Sequence, residues 1–350
     1  MVENKPSQQN KTVSSQINPS ALLAAASFAT DVVPNGCLYH SWRIALAAER
    51  VALELCPEQA GAIFFAGLMQ EVGTVGASYH ITCYKSLHEQ TEDYIIKTHP
   101  SRGAALMDWL PGMSEPAKLI RDHHEWWDGR GYQDGLGGGD IPLGSQLLLL
   151  IETLDTAGCF ESWPAMSEGL RRLAPLTGKM WSKELWASAL STLEDSAFFS
   201  RVITHDALQE MIAERLAKYP IPHELDNEAG VERMLHVFAA LVDAKDPSTA
   251  GHSHRTAQYA KLLAQHMGLS KDEITLVYRA GLVHDCGRLG VPTMLLRRSG
   301  RLSAEEMELV HKHTQMTTRI MNCMPECTQM AEIGHIAGSD HERYDGTGYP

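Results

Sequence analysis

Three observations predict an all-α chain built from two tandem helical bundles. Long stretches space their apolar residues three and four apart, the period of an amphipathic helix. No segment alternates apolar and polar residues for long enough to make a strand. Four sequence blocks recur, in the same order, in the two halves of the chain.

The repeat is read first. His40-Ser41-Trp42-Arg43 matches His252-Ser253-His254-Arg255, 212 residues on. Ala66 to Gly73 matches Ala280 to Gly287, and His99 matches His313, both at an offset of 214. His123-His124-Glu125 with Asp128 to Tyr132 matches Asp340-His341-Glu342 with Asp345 to Tyr349, at 217. A drift of five residues over four ordered blocks identifies a duplication.

Individual helices follow from local signals. Over 254–267, Ala257, Ala260, Leu263, Ala264 and Met267 form one apolar face, and Gly268 ends it. A second helix is expected over 273–286, with Ile274, Val277, Ala280, Leu282 and Val283 apolar. Ser303-Ala304-Glu305-Glu306 is a capping box, which predicts a third helix running through Ile320. Two prolines in Tyr219-Pro220-Ile221-Pro222 mark the connection between the copies. The expected organisation is a disordered tail over 1–20, a first module over 21–222 and a second over 223–350. The first copy runs on past Tyr132 through an apolar helix to Glu152 and Asp155, whereas the second stops at Pro350. The second module is therefore expected to lack its last helices.

Bulk composition narrows the function. The chain has 350 residues, 44% hydrophobic, which suits two cores. A net charge of −13 disfavours nucleic acid and anionic lipid as partners. Seven scattered cysteines make no disulfide framework and fit a reducing compartment. Cys323 and Cys327 read as two small residues near a helix end. Ala21 to Ala29 is apolar but lacks a basic segment before it, so it does not read as a leader. Leu147 to Ile151 is far too short to span a bilayer. A soluble, cytoplasmic protein with no membrane contact is expected.

In the second copy, His252, His284, Asp285, His313, Asp340 and His341 are candidate ligands on four separate segments. Imidazole with carboxylate suits iron, manganese, zinc, nickel or cobalt. His284-Asp285 interrupts an apolar helix, and a charged pair there is costly to bury unless it is paired or meets a metal. A carboxylate at that place could bridge two cations that share one hydroxide. Asp345, Gly346 and Gly348 make a glycine-rich turn next to these ligands, and its glycines permit close backbone approach.

These residues together resemble the HD-GYP family of helical metal phosphohydrolases. The blocks that carry the resemblance are His252, His284-Asp285-Cys286-Gly287-Arg288, His313 and the loop ending Gly348-Tyr349-Pro350. The resemblance covers about 235–350, and more weakly 35–160. It implies hydrolysis of cyclic di-GMP or cyclic GMP-AMP with two divalent transition metals such as iron or manganese. It implies metal-ligand positions for His252, His284, Asp285, His313, Asp340 and His341, with Asp285 bridging and catalytic. Arg288 stands where the family has a phosphate-binding lysine, which implies a catalytic and substrate-binding role for it, and Asp345, Gly346, Gly348 and Tyr349 lie in the substrate loop. Asp340 stands where the family has His. Ser248 replaces the glutamate that holds a third metal in some members, so two metals are expected. A diguanylate cyclase or other signalling protein, and a second copy of the chain, are the implied protein partners.

The first copy is degenerate in this light. Gln70-Glu71 replaces His-Asp and Thr74 replaces the cation, while His40, His99, His123, His124 and Glu152 persist. It is expected to be structural, dimerising or sensory, with its bridged metal pair lost or loosened. The alternatives to a phosphodiesterase are a non-catalytic cyclic-dinucleotide or protein-binding module and an HD nucleotide phosphohydrolase.

Overall fold

The computed structural model describes residues 17–33, 36–84, 87–324 and 327–350. Among these the regular structure is helical, apart from one isolated bridge between Thr177 and Trp181. Most of the tail expected over 1–20 lies outside the described residues. Its end is ordered: Ile17 is buried, and the Asn18 side chain accepts from Ser20 N to cap the helix Pro19–Asp31. Every residue of that helix is buried, which explains its apolar composition.

Pro19–Asp31 and Glu228–Lys245 are the opening helices of the two copies, and they pack against each other. His40–Leu55 crosses Ala60–Met69 in the first copy as His252–His266 crosses Lys271–Val283 in the second. The apolar core is continuous across both, joining Phe28, Trp42 and Leu68 to Phe238, Leu282 and Ile320. The helix Leu143–Thr156 completes the first bundle. Four more helices, from Trp163–Leu173 to His205–Lys218, follow it. The two prolines of 219–222 lie between His205–Lys218 and Glu228–Lys245. Among the described residues no helix is long and apolar enough to cross a membrane.

Two expected helices differ in detail. The helix predicted over 273–286 ends at Val283, and a 3-10 turn occupies Cys286–Gly290. His284 and Asp285 thus sit at a helix end, where the backbone tightens. The turn is held down by Thr317, whose hydroxyl accepts from Gly287 N and donates to His284 O. The helix predicted through Ile320 breaks at Lys312 into Ala304–His311 and His313–Met321. The Ser303 capping box is present, and an equivalent box at Ser270 and Glu273 starts Lys271–Val283.

Candidate metal centre

In the second copy, His252 opens one helix, His284 and Asp285 close the next, His313 opens a third and Asp340-His341 follow a fourth. The ligand atoms of His252, His284 and Asp285 lie within 4.8 Å of one another, as do those of His313, Asp340 and His341. Asp285 joins the two groups. Its Oδ2 is 3.4 Å from His284 Nε2 and 3.6 Å from His252 Nε2, while its Oδ1 is 3.7 Å from His313 Nε2. One carboxylate thus offers one oxygen to each half of the cluster.

The imidazole tautomers can be read from the backbone. His284 Nδ1 lies 2.9 Å from Gly281 O, and His313 Nδ1 lies 2.6 Å from Val310 O. A carbonyl only accepts, so each Nδ1 carries the hydrogen and each Nε2 presents a lone pair to the cluster. His284 Nε2 and His252 Nε2 face each other at 3.3 Å. Burial holds His252 and His313 below the usual imidazole range, so neither is suited to accept a proton in place of a metal. Both Asp285 oxygens and His313 Nε2 are buried without a hydrogen-bond partner. A cation is the chemical species that satisfies converging lone pairs and an unpartnered carboxylate together.

Arg288 lies beside this centre, its Nε 2.8 Å from Asp285 Oδ1 but outside hydrogen-bond geometry. Tyr349 stacks on His341 at 4.7 Å and on His311 at 3.9 Å, so its ring is held between two imidazoles. Gly348 packs against His341 O. Gly346 has φ 72° and open space around it. The Asp345 carboxylate accepts from Thr347 N and Oγ1, within its own turn, and is fully exposed. The structure therefore brings the six ligand candidates and Arg288 together and leaves Asp345 outside the cluster.

The first copy repeats the geometry with different chemistry. Glu71 directs Oε1 toward His40 at 3.9 Å and Oε2 toward His99 at 3.8 Å, the same division as Asp285. Gln70 Nε2 donates to Glu71 Oε1 at 3.3 Å, so an amide hydrogen occupies that half. His40 is also bound to Asp155, at 2.5 Å from Nδ1, and Asp155 accepts from Arg43 Nε at 2.6 Å. Burial opposes charge on His40, yet Asp155 and Glu71 raise it well above the usual imidazole range. The other half is bare. His99 Nδ1 and His123 Nδ1 are held by Ile96 O and Ile120 O, and their Nε2 atoms face each other at 3.1 Å. His124 Nε2 and Glu71 Oε2 have no hydrogen-bond partner.

Burial pushes His123 down to about 3 and His124 well below its usual range. Burial raises Glu152 well above the carboxylate range, with Glu71 adding to the effect. Burial opposes charge on Glu71 too, but His99 and His40 bring it down to about 2. An anionic Glu71 thus lies beside His123 and His124, which burial keeps neutral. Tyr132 stacks on His124 at 4.7 Å, as Tyr349 does on His341. The geometry shows where the expected loosening falls: Gln70 cancels one half of the centre, and the other half keeps its donors because the Nδ1 atoms of His99 and His123 are fixed by their own helices.

Accessibility separates the copies. The His40, Glu71, His99 and His123 side chains are all 0% exposed, whereas His252 is 42% exposed. The helix Leu143–Thr156 closes the first centre, with Glu152 and Asp155 on its inner face. Sequence reading named Asp155 and Arg43 but gave neither a role in the site. Their signal was present: Glu152 and Asp155 are three apart on one face of an apolar helix. It passed over Asp31 and Asp243, each nine residues before the first histidine of its copy. Asp31 accepts from Ser41 N and Oγ, and Asp243 accepts from Gly251 N.

An HD domain model matches residues 29–163 and 236–350. The chain is 31% identical over 256 residues to the 3'3'-cGAMP-specific phosphodiesterase 3 of Vibrio cholerae, covering 73% of this chain and 54% of that protein. It is 32% identical over 118 residues to a cyclic di-GMP phosphodiesterase of Thermotoga maritima, covering 33% of this chain and 32% of the other. The chain thus spans about half of the first relative and a third of the second. A crystal structure of a V. cholerae cyclic GMP-AMP specific phosphodiesterase, V-cGAP3, has a similar fold, with a TM-score of 0.69 at 24% identity. The likeness covers 91% of this chain and 86% of that one.

Proposed function

The chain belongs to the HD-domain family, and from that membership and the geometry of the second copy we propose that it hydrolyses cyclic dinucleotides with a pair of divalent transition metals. The observation that carries this reading is Asp285: a buried carboxylate that makes no hydrogen bond and aims one oxygen at each half of a histidine cluster, with Arg288 beside Oδ1. The half of His252, His284 and Asp285 would hold one cation, and the half of Asp285, His313, Asp340 and His341 the other. Iron or manganese suits this mixed nitrogen and oxygen donor set. Bound metal would supply an activated hydroxide and offset charge on the phosphoryl group.

The chain's own residues do the rest. The carbonyls of Gly281 and Val310 hold His284 and His313 in the tautomer that presents Nε2. Arg288 sits beside Asp285 as a fixed cation, and its planar fork can take two phosphate oxygens. The ring of Tyr349, stacked on both faces by His311 and His341, turns its edge to the space beside the cluster.

In the first copy the burial favours a structural role. A centre with all its donors closed off cannot meet a dinucleotide. It would hold a single cation on Glu71, His99, His123 and His124, because Gln70 and charged His40 fill the other half. The seven scattered cysteines of the sequence make no disulfide framework, which supports a reducing, cytoplasmic setting. The relatives' names support cyclic GMP-AMP or cyclic di-GMP as substrate. A cyclase that makes such a molecule is the implied signalling partner, and sedimentation tests the implied homodimer.

The deciding experiment measures hydrolysis of both cyclic dinucleotides together with metal content, on the wild type and on Asp285→Ala. Turnover of either substrate that disappears in Asp285→Ala supports the reading. Bound metal without turnover would make the second copy a binding module instead.

A further inference from the structure

A cavity of about 120 Å³ lies at the seam between the two copies. The first helix contributes Ala29 and Thr30, the first copy contributes 74–80, and the second copy contributes Leu289, Pro292 and Thr293. Lys245, the last residue of Glu228–Lys245, reaches into it and is only 5% exposed. Among the described residues its ammonium has no hydrogen-bond or ion-pair partner. Arg297 brings a charge of the same sign to this end of the helix, its Nη2 donating to Lys245 O at 2.9 Å. His80 lines the same cavity, 4% exposed, with Nε2 making no hydrogen bond. Its closest carboxylate, Asp31, is 3.7 Å away and already accepts from Ser41.

An unpaired ammonium is expensive to bury, and burial with Arg297 alongside pulls Lys245 down to about 8. The cavity beside it is roughly the size of the 150 Å³ voids that accept a benzene-sized molecule. Its walls are mostly apolar, with Val75, Ala77 and Leu289 prominent. One free cation on an apolar wall matches a single negative charge on an apolar body.

We propose that this seam cavity binds a small organic carboxylate, its head on Lys245 Nζ and its body between Val75, Ala77 and Leu289. The position gives the site a consequence. Thr74 is three residues past Glu71, and Leu289 is four past Asp285. His80 also packs edge-on against His40, at 5.5 Å. A bound carboxylate touches both copies at once and ties together the segments that leave their two centres.

The proposal is separate from the phosphodiesterase reading, and the test keeps them apart. The whole chain is titrated calorimetrically with butyrate, benzoate, their uncharged amides and inorganic phosphate. Unfolding temperature, metal content and hydrolysis are read on the same samples. Butyrate or benzoate should bind saturably and raise the unfolding temperature, and the amides should bind at least tenfold more weakly. Lys245→Met should weaken carboxylate binding at least tenfold with metal content unchanged. Ala77→Leu, which fills the cavity without touching the charge, should do the same. The proposal is overturned if neither carboxylate binds, if the amides bind equally well, if phosphate alone binds, or if both variants bind like the wild type.

Discussion

At Asp285 two oxygens serve two groups of imidazoles, and at Glu71 one of the two is already taken by Gln70. That single difference predicts how two variants divide. Asp285→Ala should lower hydrolysis by at least about 10³-fold, the scale on which removal of a group that stabilises charge in the transition state is felt. Glu71→Gln should leave hydrolysis within about threefold while removing one metal equivalent and lowering the unfolding temperature. Metal analysis and turnover on the two proteins check this, and loss of turnover in a folded Glu71→Gln would put the active centre in the wrong copy. Lys245 gives a prediction in pH. Its folded value, about 8, lies below the unfolded 10.5, so between those limits the unfolded chain holds more protons and stability rises with pH. Below pH 8 the buried charge costs its full amount, on the order of 3 kcal/mol. In carboxylate-free buffer, Lys245→Met should raise the urea midpoint at pH 7, and the gain should shrink as pH climbs toward 10.5. A gain that is the same at every pH would mean that the ammonium is not the source of the cost.

The turns that carry these carboxylates depend on close packing. A Cβ added to Gly287 would lie 1.9 Å from His313 O, and one added to Gly73 would lie 2.1 Å from His99 O. Each 3-10 turn therefore rests directly on the backbone of the helix that supplies the next histidine. Gly287→Ala must push that helix away, at a cost of about 2–4 kcal/mol, and it should deplete metal in the second copy while sparing the first. Gly73→Ala should do the reverse. Equal depletion of both centres by either change, measured as metal per chain, would contradict their independence. The residue before each first histidine is also paired: Gly251 has φ 73° and Tyr39 has φ 64°. Tyrosine is strained there. Its ring packs against Phe28 and Trp42, each at 5.2 Å, which offsets the strain.

Across the whole molecule the core is shared. The helix Pro19–Asp31 is wholly buried and touches Glu228–Lys245 and His313–Met321 as well as its own copy. Calorimetry should therefore record one cooperative unfolding transition rather than two. Removing residues 1–31 should destabilise the second copy as well as the first, although none of the second copy's own residues is lost. Two well-separated transitions in the intact chain, or a second copy that keeps its metal after that truncation, would show that the halves fold alone.

The duplication, the helical class and the ligand candidates of the second copy were legible in the chain itself. Repeated blocks and helical periodicity are local properties, and a His-Asp pair in an apolar helix is conspicuous because burying charge is costly. The Ser303 capping box was legible for the same reason, since its partners lie within one turn. Periodicity reports which face of a helix is buried but not what it is buried against. So the sequence could not show that Pro19–Asp31 belongs to both copies, or that Leu143–Thr156 seals the first centre. It could not show that Gln70 donates to Glu71 while three imidazoles stay bare, because that depends on which helix carbonyl holds each Nδ1. Nor could it leave Lys245 without a counter-charge: at the end of an amphipathic helix it reads as a solvated lysine, and only the packing of two copies around it takes the solvent away.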